Sequence, residues 1–143
     1  VAVLGLTFKP GTDDLREAPS LDNVPLLLEQ GADIYAYDPV GADNFKKKYP
    51  EGNINNGSIK YVDNLEEALD DANVCFIFTE WGEIKAVEPT EYKRLMRTPL
   101  VYDGRNIYGI EDMKLAGVEY YSIGRPYVKN NIKSLEDVAA TTD

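Results

Sequence analysis

Apolar residues along the chain fall into short runs, separated by stretches with helical spacing. "VAVLGL" (1–6) is a continuous apolar run of the kind buried on both faces of a parallel sheet. "SLDNVPLLLEQG" has the spacing of a helix, with Ser20 as candidate N-cap, Pro25 requiring the start to lie close by, and Gly31 as the stop. "DIYAYDP" (33–39) predicts a second strand closed by Asp-Pro, and "GADNFKKKYP" a helix ending at Pro50. "EGNINNGS" reads as a loop and "IKYV" (59–62) as a short strand. "NLEEALDDA" (64–72) predicts a helix capped by Asn64, with acids in its first turn where the helix dipole favours them. "NVCFIFT" (73–79) is the strongest core strand. "PTEYKRLMR" (89–97) predicts a helix opened by Pro, "PLVYDG" (99–104) a strand, "GIEDMKLAG" a short helix and "VEYYSIG" (118–124) a last strand. The segment from Arg125 is polar and is expected to fray.

Strands alternating with helices imply right-handed βαβ units. The expected fold is therefore α/β: a Rossmann-like, doubly wound, mainly parallel sheet of five to six strands with helices on both faces. Such sheets bind ligands at the carboxyl ends of their strands, near the point where strand order reverses. That selects the loops 7–19, 38–42, 79–88 and 103–109. No G-x-G-x-x-G follows the first strand, whose exit "GLTFKPGT" carries only Gly11 beyond Gly5, so the chain holds no standard dinucleotide fingerprint of its own.

Composition narrows the function classes. The chain has 143 residues, enough for one ordinary domain with a real core. Lys plus Arg number 15 and Asp plus Glu 25, for a net charge of −10. A nucleic-acid binder carries a basic stripe. Here "KKK" at 46–48 reads as a solvated helix face, and no nucleic-acid partner is expected. No apolar run approaches the roughly 18 residues that span a bilayer, and no signal peptide precedes the first strand. No membrane partner is expected, and the abrupt start at Val1 suggests a domain cut from a longer protein. One Cys and no His rule out an internal disulfide, a His-based triad and His or multi-Cys zinc sites, and fit a reducing, cytoplasmic compartment. Cys75, inside "NVCFIF", is expected to be an inert core residue.

Two loops carry candidate chemistry. In "GLTFKPGTDDLREAPS", Lys9 follows Phe8 at a strand's carboxyl end, from which a Lys reaches a ligand phosphate or carbonyl. Arg16 lies at the loop's far end, and Asp13 and Asp14 either hold the two cations or cap the loop's own backbone. The alternative is a surface loop with self-cancelling charges. "YDGRNIYG" places Arg105 at the end of a strand, beside Gly104. Arg105 is either a bidentate phosphate partner or the ion-pair partner of Asp103 or Glu80. As a phosphate site, Lys9 and Arg105 would sit on neighbouring strand ends. Trp81 of "TEWGE" reads as a packing residue.

"GLTFKPGTDDLREAPS", "YDP", "FTEW" and "YDGRNIY", in that order, resemble the carboxyl-terminal, UDP-binding domain of the UDP-glucose/GDP-mannose dehydrogenase family. "FTEW" is most similar to the UDP-glucose 6-dehydrogenase branch. The resemblance covers residues 1 to about 128, and leaves 129–143 as a polar tail expected to be flexible. It implies an enzyme that oxidises the sugar C6 alcohol to a carboxylate in two steps with NAD. An amino-terminal domain absent here would bind most of the NAD, and a long central helix would make the parent a homodimer. It also implies a Cys nucleophile upstream, which Cys75 does not match, so no catalytic residue is expected in this chain.

By the same resemblance, Phe8, Lys9 and Arg105 contact the nucleotide sugar, and Arg16 reaches across the cleft towards NAD. A surface-polysaccharide precursor is the implied product. Three rivals remain: a dehydrogenase of UDP-N-acetylmannosamine or GDP-mannose, a stand-alone nucleotide-binding module, and a response-regulator-like domain. The last would use Asp38 or Asp103 as phosphoacceptor, but Pro39 and Gly104–Arg105 follow them.

Overall fold

The computed structural model describes residues 1–129. The tail expected over 129–143 thus falls, apart from Lys129, outside the described residues. Arg125 to Val128, also expected to fray, are instead held: Tyr120 and Val128 exchange backbone hydrogen bonds at 2.9 and 2.8 Å and Val128 is buried, a long-range pairing that the polar local sequence does not signal. In chain order the elements are β1 (Ala2–Leu4), α1 (Pro19–Glu29), β2 (Asp33–Tyr37), α2 (Ala42–Lys48), β3 (Gly52–Ile54), β4 (Gly57–Tyr61) and α3 (Leu65–Leu69). There follow β5 (Cys75–Ile77), α4 (Gly82–Lys85), α5 (Pro89–Leu95), β6 (Leu100–Asp103), α6 (Ile110–Leu115) and β7 (Glu119–Ser122).

The strands form one sheet in the order β3-β4-β2-β1-β5-β6-β7. Every pairing is parallel except β3 with β4. The doubly wound α/β sheet is present, with seven strands. The additional strand is β3, in the "EGNINNGS" segment read as a loop. It pairs antiparallel with β4 through a tight turn in which Asn55 adopts φ 54°. Such short hairpins rest on turn geometry rather than on an apolar run, which is why hydropathy misses them.

Local signals placed most other elements. Asn64 caps α3 by accepting from the Glu67 backbone N–H at 2.9 Å, while its own amide donates to the Glu67 carboxylate at 2.8 Å. Pro89 opens α5. Ser20 is not the cap of α1. The helix begins at Pro19 with Ala18 as N-cap, and Ser20 is fully buried, its hydroxyl donating to the Leu6 carbonyl at 2.6 Å. Pro at the first helical position needs no donor, so α1 starts two residues earlier than a Ser20 cap would place it.

Crossovers run in opposite directions from the β1/β5 boundary, which puts helices on opposite faces. Val3, Ile34, Ala36 and Ile59 pack under α1 and α2 through Val24, Leu28 and Phe45. Leu4, Cys75, Ile77, Val101 and Tyr120 pack against α3 to α6 through Leu69, Ile84, Tyr92 and Met113. On the α1 side of β5 to β7 stand Phe76, Tyr102 and Tyr121 in register, with ring centroids 5.3 and 4.8 Å apart. Tyr102 stays 39% exposed, so this half of the face is covered by its own aromatic row rather than by a helix. The β1/β5 boundary is the switch point, and the candidate loops leave from its carboxyl edge.

Candidate functional site

Backbone geometry fixes the exit of β1. Gly5 has φ 88°, and a Cβ on it would lie 2.5 Å from the Cβ of Thr79. Only Gly meets both conditions. The Thr79 hydroxyl donates to the Thr7 carbonyl at 2.6 Å, joining the exits of β1 and β5 at the switch point.

Asp38, at the end of β2, ties three loops together. One carboxylate oxygen accepts from the Leu6 and Thr7 N–H groups at 2.7 and 3.1 Å and from the Trp81 indole at 3.1 Å. The other accepts from Val40 and Gly41 N–H at 2.9 and 2.6 Å. Trp81 is therefore a strut for the loop after β5, a packing residue with a polar anchor. Asp103 plays the same part at the end of β6. It accepts from the Arg105 and Ile107 N–H groups, each at 2.8 Å, and from the Tyr120 hydroxyl at 2.6 Å. Burial, reinforced by that carboxylate, pushes the Tyr120 hydroxyl well above its usual range, so it stays protonated and donating. Arg125 extends the chain of contacts by donating to Tyr120 Oη and to the Tyr108 carbonyl, each at 2.8 Å.

These anchors present the sequence candidates along one edge. Phe8 is 42% exposed and Lys9 is exposed. Their loop is closed by Phe8 N–H donating to the Asp14 carbonyl at 2.9 Å and by the Thr7 hydroxyl donating to the Lys9 carbonyl at 3.0 Å. Arg105 is exposed and its Nε donates to Glu80. Of the alternatives for Arg105, the ion pair with Glu80 is present, and Asp103 binds its backbone N–H instead. Lys9 and Arg105 do not leave neighbouring strands. β5 lies between β1 and β6, so its exit, carrying Glu80, separates the two cations. Apolar patterning reports burial, and says nothing about which strand is adjacent.

Arg16 is engaged by Asp14, which accepts from its Nε at 3.1 Å and from Nη2 at 2.8 Å. Those hydrogen bonds hold the Asp14 carboxyl down to about 2. Asp14 thus orients Arg16 as expected, whereas Asp13 offers its backbone carbonyl to Asn44. Arg16 lines a depression with Thr12, Leu21, Lys47 and Lys48, away from Arg105. Cys75 is fully buried, and burial pushes its thiol far up, which makes it unreactive.

The crevice does not fit a dinucleotide of this chain's own. Thr79 fills the close approach at Gly5, and Asp38, in the place of the ribose-binding acid of a dinucleotide fold, is taken up by backbone N–H groups. Sequence reasoning missed Thr79, Tyr120 and Arg125 as loop anchors. Asp38 was legible in part, since Asp before Pro at a strand end signals a turn closed by its own side chain.

Three comparisons bear on this site. The sequence model of the UDP-binding domain of the UDP-glucose/GDP-mannose dehydrogenase family matches residues 2–110. The chain is 41% identical over 130 residues to UDP-glucose 6-dehydrogenase TuaD of Bacillus subtilis (strain 168), covering 90% of this chain and 27% of that protein. It is 42% identical over 128 residues to UDP-glucose 6-dehydrogenase YwqF of the same organism, covering 90% and 28%. The chain thus spans roughly a quarter of the length of these curated relatives. Among solved structures, the NDP-N-acetyl-D-galactosaminuronic acid dehydrogenase of Methanosarcina mazei Go1 superposes with a TM-score of 0.69 at 26% identity, covering 87% of this chain and 24% of that one. A UDP-glucose dehydrogenase of Pyrobaculum islandicum superposes with a TM-score of 0.63 at 30% identity, covering 83% and 24%.

Proposed function

The chain belongs to the UDP-glucose/GDP-mannose dehydrogenase family, whose UDP-binding domain it matches, and from that premise we propose that residues 1–128 are the nucleotide-sugar-binding, carboxyl-terminal part of an NAD-dependent UDP-glucose 6-dehydrogenase. The parent oxidises UDP-glucose to UDP-glucuronate in two hydride-removing steps, as a soluble cytoplasmic homodimer supplying a polysaccharide precursor. This chain contributes binding and orientation. The thiol nucleophile and the dinucleotide fingerprint lie in other parts of the parent.

One observation carries the reading. The loops holding Lys9 and Arg105 flank the β5 exit on the carboxyl edge of the sheet, and both lie inside the matched residues 2–110. Two exposed cations on rigid anchors at that edge suit a diphosphate, each through charge-assisted hydrogen bonds. Phe8 presents apolar surface beside them. Arg16, at the far end of the same loop and lining a depression with Lys47 and Lys48, suits the phosphate of a dinucleotide held by a second domain.

The test is NADH formation by the full-length parent offered UDP-glucose, UDP-N-acetylmannosamine and GDP-mannose in parallel. Two NADH per UDP-glucose, with little from the others, is the expected result. Turnover only of another nucleotide sugar would keep the phosphate site and overturn the sugar assignment. A folded parent inert on all three would replace the enzyme with a binding module.

A further inference from the structure

Arg105 is held by one side of its guanidinium. Its Nε donates to Glu80, which leaves β5, while its backbone N–H is fixed by Asp103 at 2.8 Å. Among the described residues its two terminal nitrogens have no hydrogen-bond partner. A guanidinium carries five donors in a rigid fork, so a carboxylate on Nε sets the plane of the group and leaves the terminal edge open. The Glu80 side chain is only 25% exposed and the Arg105 side chain 36%, so the pair is shielded enough for orientation to persist.

We propose that Glu80 is a positioning residue for nucleotide-diphosphate capture, aligning the Nη edge of Arg105 towards the ligand. The inference rests on the phosphate role given to Arg105 above. The opposing possibility is that Glu80 competes with the ligand for Arg105, because a carboxylate repels an incoming diphosphate. The two predict opposite signs. An orienting Glu80 strengthens binding when present, and its neutral isostere, which keeps an acceptor for Nε, preserves that effect. A competing Glu80 weakens binding, and removing its charge in any way tightens it.

The experiment is calorimetric titration of UDP into the full-length parent, as wild type, Glu80→Gln, Glu80→Ala, Arg105→Ala and the Glu80/Arg105 double alanine variant. Thermal melts of each variant accompany the titrations. The expected Kd for Glu80→Gln lies within about threefold of wild type, whereas Glu80→Ala binds about tenfold more weakly, the scale of one charge-assisted contact. The double variant binds no more weakly than Arg105→Ala alone, because Glu80 acts only through Arg105. A purely structural Glu80 would instead weaken binding equally in both backgrounds, and overturns the proposal. Unchanged binding in Glu80→Ala, or tightening of several-fold in Glu80→Gln, also overturns it. The Glu80→Gln arm decides the sign even if the alanine variant fails to fold. If wild type and Arg105→Ala bind UDP equally well, or neither binds it, the phosphate role of Arg105 fails first and Glu80 falls with it.

Discussion

The Trp81 indole N–H donates to the Asp38 carboxylate across 3.1 Å, joining the exit of β5 to the exit of β2. Four backbone N–H groups share that carboxylate, so Asp38 is the joint on which the loop bearing Phe8 and Lys9 is set. Asp38→Ala leaves buried donors without an acceptor, each at a cost of about 1–3 kcal/mol that does not add fully. The expected loss is about 3–5 kcal/mol, read as a lower urea midpoint. A loss under about 1 kcal/mol would show that water replaces the carboxylate freely and that the joint is not structural.

Gly5 and Gly11 separate backbone strain from crowding. Both have positive φ, 88° and 85°. A Cβ on Gly5 meets Thr79 at 2.5 Å, and one on Gly11 meets nothing within 4 Å. Gly11→Ala is expected to cost about 1 kcal/mol, from conformation alone. Gly5→Ala adds overpacking at the switch point, for a total of about 2–5 kcal/mol. Equal losses in the two variants would mean that Thr79 moves aside without cost.

Asp14 supplies a pH dependence with a defined sign. Hydrogen bonds from Arg16 depress its carboxyl from the ordinary 3.8 to about 2. A depressed folded value means that the contribution is complete above the unfolded value and is lost as pH falls through the folded one. The window therefore runs from about pH 4 down to about pH 2. NMR titration of the Asp14 carboxyl should show the low midpoint in the wild type and a return to the ordinary range in Arg16→Ala. An Asp14 that titrates in the ordinary range with Arg16 present would show that the pair is not formed in solution.

Arg105→Ala in the parent is expected to weaken UDP-glucose binding by one to two orders of magnitude, since a charge-assisted contact is worth about 1.5–3 kcal/mol. Lys9→Ala should weaken it too, but by less, as a flexible ammonium on an exposed loop is a poorer match to a diphosphate than a guanidinium. Both losses should shrink as salt is raised. An Arg105→Ala parent that binds UDP-glucose as tightly as wild type removes the arginine from the site.

How much was legible varied with the range of the interaction. The Asn64–Glu67 cap, the Pro89 helix start and the buried run around Cys75 lie within a few residues of their own signals, and each stands where the sequence put it. Ser20 failed as a cap because its hydroxyl found Leu6, fourteen positions earlier. The Asp14–Arg16 pair, two positions apart, was within reach of sequence reasoning. The Arg105–Glu80 pair, twenty-five positions apart, was reachable only as one of two alternatives.

The sequence by itself determined the alternation of strands and helices, and with it a doubly wound sheet whose carboxyl edge carries Phe8, Lys9 and Arg105. Periodicity encodes which side chains leave water, and burial is the main force ordering such elements. Tertiary structure alone decided that β5 stands between β1 and β6, that Glu80 therefore meets Arg105, and that Asp38 gathers donors from three loops. Strand order follows from where crossovers pack, and a carboxylate's partner from which backbone groups are left unpaired at the strand exits. Both are properties of the assembled sheet, and no local stretch of sequence carries either.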